Sequence, residues 1–167
     1  GTDGRDDVKV KSKDNTQTIE VDTKLDDGKN DKTEFPASDV DLIVIHLGEG
    51  NDKADVDHKI LVDAKIFADG GNDEVKGGGG NDTLIGGHLT DSIFGALGND
   101  LIGGGGGNDH IFGGGGDDKL WGDAGNDVIY GDDPIAPGTD AGHGNDLIHG
   151  GNGNDLLVGG RGDDEIH

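Results

Sequence analysis

Ten aspartates, Asp73, Asp82, Asp91, Asp100, Asp109, Asp118, Asp127, Asp146, Asp155 and Asp164, occupy one fixed place in a nine-residue pattern. Two residues after each stands Val, Leu or Ile, and glycines cluster before each. Carboxylates at so regular an interval form an array and not a catalytic pair. Brought close together they repel strongly unless a cation lies between them. The donors on offer are all oxygen: carboxylates, and backbone carbonyls left free by glycine-rich turns. A flexible, multidentate oxygen cage suits Ca²⁺, whereas Mg²⁺ keeps its waters in a strict octahedron.

Other chemistries lack their residues. There is no cysteine, hence no disulfide or thiolate metal site. The seven histidines (46, 58, 88, 110, 143, 149 and 167) never fall into HExxH or another zinc spacing. No G-x-S-x-G or G-K-[ST] occurs, and the three serines have no triad context. Asn81-Asp82-Thr83 fits a glycosylation sequon and Arg161-Gly162-Asp163 an adhesive tripeptide, but both are by-products of the repeat. No enzyme is expected within this chain.

The elements that position the aspartates follow from the period. From Ala68 the chain divides into ADGGNDEVK, GGGGNDTLI, GGHLTDSIF, GALGNDLIG, GGGGNDHIF, GGGGDDKLW and GDAGNDVIY. After GDDPIAPGTD at 131–140 come AGHGNDLIH, GGNGNDLLV and GGRGDDEIH. Six glycine-rich residues should make a tight turn, since glycine reaches positive φ without steric cost. Three more should form a short strand with its middle residue inward. Two such units close an eighteen-residue coil, and coils stack about 4.8 Å apart. The aspartates then fall into columns. The first expected column is Asp73, Asp91, Asp109 and Asp127, continuing through Asp146 to Asp164 if residues 131–140 replace a half-coil. The second is Asp82, Asp100 and Asp118, resumed by Asp155. Pro134 and Pro137 are tolerable in a looped-out turn, which needs no ladder N–H. Weaker or missing calcium is expected beside the insertion, and a defective site near Leu89, whose side chain replaces a fourth-position glycine and resists a glycine-type turn.

The nonapeptides match G-G-x-G-x-D-x-U-x, so residues 68–167 resemble the RTX (repeat-in-toxin, haemolysin-type) calcium-binding family. The resemblance implies an all-β fold: a right-handed parallel β-roll or β-helix solenoid with calcium ions in the turns. It implies that the ten aspartates bind several Ca²⁺ ions together with turn carbonyls of Gly78, Gly80, Gly105, Gly107, Gly114, Gly116, Gly151, Gly153, Gly160 and Gly162. It also implies type I export and folding outside the cell, as a secreted or surface module. Two roles stay open: a structural or adhesive module of a multidomain protein, or an accessory module of a secreted protease, lipase or polysaccharide-active enzyme. With no methionine and no visible signal peptide, the chain reads as a piece of something longer.

Composition agrees with this division. Only 29% of residues are hydrophobic, against about 45–50% in ordinary domains, and 36 are glycine. One buried aliphatic per repeat supplies ~1.5–3 kcal/mol. Ordering nine residues costs several times that, so ions must supply the difference. A net charge of -23 argues against nucleic acid, and no apolar stretch approaches the ~20 residues of a membrane span.

Residues 1–67 hold only five of the glycines and ten of the 13 basic residues. Thr18–Val21, Val40–Leu47, Ile60–Val62 and Ile66–Phe67 read as strands, and Asp26–Lys32 as an exposed loop. Gly1–Lys9 (GTDGRDDVK) and Leu47–Asp55 (LGEGNDKAD) echo the repeat. Residues 1–67 are therefore expected to form an irregular β-helical segment continuous with the solenoid. Finally, Phe94, Phe112 and Tyr130 are ninth-position residues spaced eighteen apart. They should form an outward aromatic ladder suited to a carbohydrate or a neighbouring domain, or simply covering the sheet.

Overall fold

Alternation turns each repeat into a strand with one inward aliphatic residue. The computed structural model describes residues 4–13, 18–24, 30–132 and 143–167. Val75, Leu84, Ile93, Ile102, Ile111, Leu120, Ile129 and Ile148, all at the eighth position, are completely buried. They lie in β7 (Glu74–Gly78), β8 (Thr83–His88), β9 (Ser92–Leu97), β10 (Leu101–Gly106), β11 (His110–Gly115), β12 (Lys119–Ala124), β13 (Val128–Asp132) and β14 (Leu147–Asn152). β15 (Leu156–Val158) and β16 (Glu165–Ile166) end the solenoid.

Odd-numbered strands of the repeat region pair in parallel in one sheet and even-numbered strands in another. Ile93 lies in register with Val75 and Ile111, and Ile102 with Leu84 and Leu120, each eighteen residues away. The aliphatic residues thus line a thin seam between two sheets. Most strands are five or six residues long, not three, because the ladder continues into the next repeat. Its first-position glycine follows the alternation and faces inward.

Ahead of β7 the period loosens but the stacking persists. β4 (Ile43–His46) pairs with β6 (Ala64–Phe67) at an offset of 21, and β6 with β8. β5 (Lys53–Val56) lies between β7 and β1 (Asp7–Lys13). β1 then pairs antiparallel with β2 (Thr18–Lys24), and β2 with β3 (Asn30–Pro36). This meander covers the end of the nine-stranded sheet, whose order is β15-β13-β11-β9-β7-β5-β1-β2-β3. The seven-stranded sheet runs β16-β14-β12-β10-β8-β6-β4.

Three local expectations change. Asn30–Lys32 is strand, because the hairpin register places Asn30 against Lys24 and Asp31 against Thr23; Leu25–Lys29 lie outside the described residues. Ile60 forms no strand, although buried: its N–H donates to Asp57 O at 2.8 Å and closes a turn. The column assignment past the insertion is also overturned. β14 pairs with β12 and β15 with β13, so Asp146 follows Asp118 and Asp155 follows Asp127. Each of those steps spans 28 residues. The extra ten residues replace no half-coil, and the alternation between sheets is preserved. Pro134 and Pro137 lie outside the described residues.

Candidate metal centre

At each corner the sixth-position aspartate turns inward, and its two oxygens meet different fates. Oδ1 accepts a backbone N–H from the aspartate one coil earlier. Asp91 accepts from Asp73 at 2.9 Å, Asp109 from Asp91 at 2.9 Å, and Asp127 from Asp109 at 2.8 Å. In the other column Asp100 accepts from Asp82, and Asp118 from Asp100, both at 2.8 Å. The chain crosses the insertion without losing this link: Asp146 accepts from Asp118 and Asp155 from Asp127, both at 2.9 Å, and Asp164 then accepts from Asp146 at 3.0 Å.

Oδ2 has no such partner. In Asp73, Asp82, Asp91, Asp100, Asp109, Asp118, Asp127 and Asp146 it is buried without any hydrogen bond. A buried unsatisfied carboxylate oxygen carries its full desolvation cost. Burial accordingly raises these acids, against the opposing effect of the backbone N–H bond. Asp73, Asp109 and Asp146 are pushed up to about 6, Asp82, Asp91 and Asp100 to about 7, and Asp118 to about 8. Neighbouring carboxylates raise them further; for Asp118 these are Asp100, Asp146 and Asp132.

A hard divalent cation fits this arrangement, since it supplies the missing partner for Oδ2 and removes the repulsion along the column. Among the described residues no three His, Cys, Asp or Glu side chains converge on one point. Such an ion would therefore draw its remaining oxygens from the backbone.

The glycines make room for this geometry. A Cβ on Gly104 would collide with the Asp109 carboxylate, reaching its Cγ at 3.0 Å, and Gly77, Gly95 and Gly122 face the same obstacle. Fourth-position carbonyls stack in turn: a Cβ on Gly107 would strike the Leu89 carbonyl, and one on Gly116 the Gly98 carbonyl. Leu89 itself takes φ 75°, with its side chain 58% exposed. The backbone at Leu89 is strained but its turn is intact: Asp91 keeps its bond to Asp73, and Ser92 N–H donates to Asp73 O at 2.8 Å.

Two features escaped the sequence reading. Asp52 extends the first column: it accepts the Asp6 N–H at 2.7 Å, donates its own N–H to Asp73 Oδ1 at 2.7 Å, and buries an unpartnered Oδ2. The echo in Leu47–Asp55 carried that signal. The other column ends at the buried Ala64, whose N–H donates to Asp82 Oδ1. The fifth position forms a second ladder running the opposite way. Asn99 N–H donates to Asn81 Oδ1, and Asn126 N–H to Asn108 Oδ1, both at 2.8 Å. Asn, Asp or Thr at every fifth position was the sign of it.

Phe94, Phe112 and Tyr130 do form a ladder on the nine-stranded sheet, with centroids 5.0 and 5.3 Å apart and planes within 3°. Their faces are turned to each other, so edges look outward. A stack the sequence did not reveal, Trp121–His149–His167, lies on the other sheet.

Residues 67–102, 103–133 and 140–167 match the family described as RTX calcium-binding nonapeptide repeat (4 copies). Neither the curated proteins nor the solved structures yield a match. No helix among the described residues is long and apolar enough to cross a membrane. The matched segments make up more than half of the chain, and its repeats stack as a parallel solenoid with inward carboxylates. The chain thus belongs to the RTX calcium-binding nonapeptide-repeat family, a structural module that holds several Ca²⁺ ions.

Proposed function

We propose that this chain is a calcium-folded structural or adhesive module of a secreted or cell-surface multidomain protein. The supporting observation is the pair of columns of buried Oδ2 atoms without partners. Asp73, Asp82, Asp91, Asp100, Asp109, Asp118, Asp127, Asp146, Asp155 and Asp164 supply the carboxylates. Carbonyls of Gly78, Gly80, Gly105, Gly107, Gly114, Gly116, Gly151, Gly153, Gly160 and Gly162 complete the shells. Bound Ca²⁺ neutralises the columns and ties successive coils together. Binding to the folded chain alone couples calcium to folding. Residues 1–67 act as an irregular β-helical lead-in to the repeats at 68–167, and the loop at 131–140 is a tolerated insertion.

RTX repeat proteins are typically exported and act outside cells, where calcium is plentiful, and the same is proposed for this chain. A second reading is an accessory module of a secreted protease, lipase or polysaccharide-active enzyme; sequence adjoining this chain would separate the two. The ladder of Phe94, Phe112 and Tyr130 serves as cover for a thin sheet, since the rings stack on one another and not outward. The deciding experiment is circular dichroism during calcium titration of the chelated protein. Strand signal should grow with calcium and not with magnesium alone. Equal strand content with and without calcium would overturn the proposal.

A further inference from the structure

Among the described residues, one buried carboxylate oxygen without a partner lies outside the aspartate columns: Oδ1 of Asp132. Asp132 ends β13 at the start of the insertion, in register with Gly114, and so holds a second-position place in the repeat. Every other described second-position residue of the repeats turns the chain with a positive φ, from 70° at Asp69 and Asp123 to 121° at Gly78. Asp132 does not, and stays in its strand. The consequence shows in the next coil. A Cβ on Gly87, Gly105, Gly114 or Gly151 would strike the second-position carbonyl of the coil before it. A Cβ on Gly160 would strike the Asp132 carboxylate instead. The side chain also takes over a carbonyl's bond. His88 N–H, at the third position, donates to Asp69 O at 2.9 Å, whereas Arg161 N–H, at the same position, donates to Asp132 Oδ2.

That carboxylate is held from one side. His143 Nδ1 lies 3.3 Å from Oδ2, and Arg161 Nη1 lies 3.2 Å from His143 Nε2. A guanidinium only donates, so Nε2 accepts and the ring proton sits on Nδ1, facing Oδ2. Oδ2 therefore has two donors and Oδ1 has none, although the side chain is only 11% exposed. Asp118 and Asp146 are neighbours: burial first, and then nearby charges that include Asp132, raise both acids. Their own Oδ2 atoms are likewise buried without partners.

We infer that Asp132 is a calcium ligand through Oδ1, its carboxylate replacing the second-position carbonyl that other turns present. The ion is shared with the Asp118–Asp146 step of the column, and turn carbonyls complete its shell. A hard cation supplies the partner that Oδ1 lacks, and added ligand charge tightens a calcium site. The turn beside the insertion then holds calcium more firmly than a glycine turn, the reverse of the weaker or missing calcium expected from the sequence. This rests on the calcium-folded reading of the chain and adds to it a ligand outside the sixth position.

The test counts calcium in the full chain by competition against a chelator of known affinity. Asp132→Asn keeps an oxygen for the Arg161 N–H and removes the anionic ligand. It should weaken one ion roughly tenfold, leave the others, and keep the wild-type dichroism spectrum at saturating calcium. Asp123→Asn removes the same charge at the same repeat position, from an exposed residue whose carbonyl keeps its usual place under Gly151. It should leave every ion at wild-type affinity. Equal effects of the two substitutions, or no effect of Asp132→Asn, would overturn the inference. A crystal structure of the calcium-loaded wild type needs no variant: an ion should lie about 2.3–2.6 Å from Asp132 Oδ1. Ions along the columns with none at Asp132 would sink the inference and spare the calcium reading, whereas a wild-type chain that bound no calcium would sink both.

Discussion

Asp100 offers the sharpest separation between folding and metal binding. Burial pushes its acid up to about 7 from the ordinary 3.8. The folded, calcium-free coil therefore holds a proton that the unfolded chain has released. Its contribution to stability is complete below the unfolded value and is lost as pH rises through about 7. Each tenfold change in proton affinity is worth about 1.4 kcal/mol, so an ionised Asp100 costs that coil on the order of 4 kcal/mol. Asp100→Asn removes the charge and keeps Oδ1 for the Asp82 N–H. The amide nitrogen replaces Oδ2, the atom that a Cβ on Gly95 would strike. Calcium, by contrast, loses an anionic ligand. In chelator the variant should acquire strand signal at higher pH than the wild type. At neutral pH it should need roughly tenfold more free calcium for half-folding, equivalent to about 1.4 kcal/mol. Circular dichroism against pH in chelator, and against free calcium at neutral pH, reads both arms. An unchanged calcium midpoint would refute the ligand role of Asp100. A variant that folds only at lower pH than the wild type would refute the buried-charge argument.

The same titration sign holds across both columns: calcium-free protein should gain β-structure as pH falls from about 8 to about 5, so half-folding in calcium should need less metal as pH falls. A pH-independent calcium midpoint over that range would contradict it. Gly104→Ala places a methyl against the Asp109 carboxylate and should destabilise the calcium-loaded fold by about 1–3 kcal/mol in urea unfolding, with no gain from added calcium. Leu89→Gly relieves a left-handed backbone and should stabilise it by about 1 kcal/mol, visible as a higher urea midpoint. Phe112→Ala removes the middle ring of its stack and should cost about 1 kcal/mol beyond lost area, while calcium stoichiometry by calorimetry stays the same.

The nine-residue period determined a great deal unaided. An aspartate and an aliphatic residue two apart must share a face of a strand, so the seam of Ile93, Ile111 and Ile129 and the neighbouring carboxylates follow from alternation alone. The glycines follow too, because only they leave space for Asp109 beside Gly104. Periodicity is silent where it breaks. Whether the inserted residues replaced a half-coil or were added to one is a choice between two registers with the same local sequence. Pairing of β14 with β12 made that choice, since alternation between the sheets is kept only if they are extra. Asp52 joins its column through stacking of β5 on β7, although its own repeat is degenerate. The Asp132 carboxylate stands in for a turn carbonyl only because Arg161, 29 residues away in sequence, stacks against it. Local chemistry fixed which side chains point inward. Contacts between distant strands decided which of them meet.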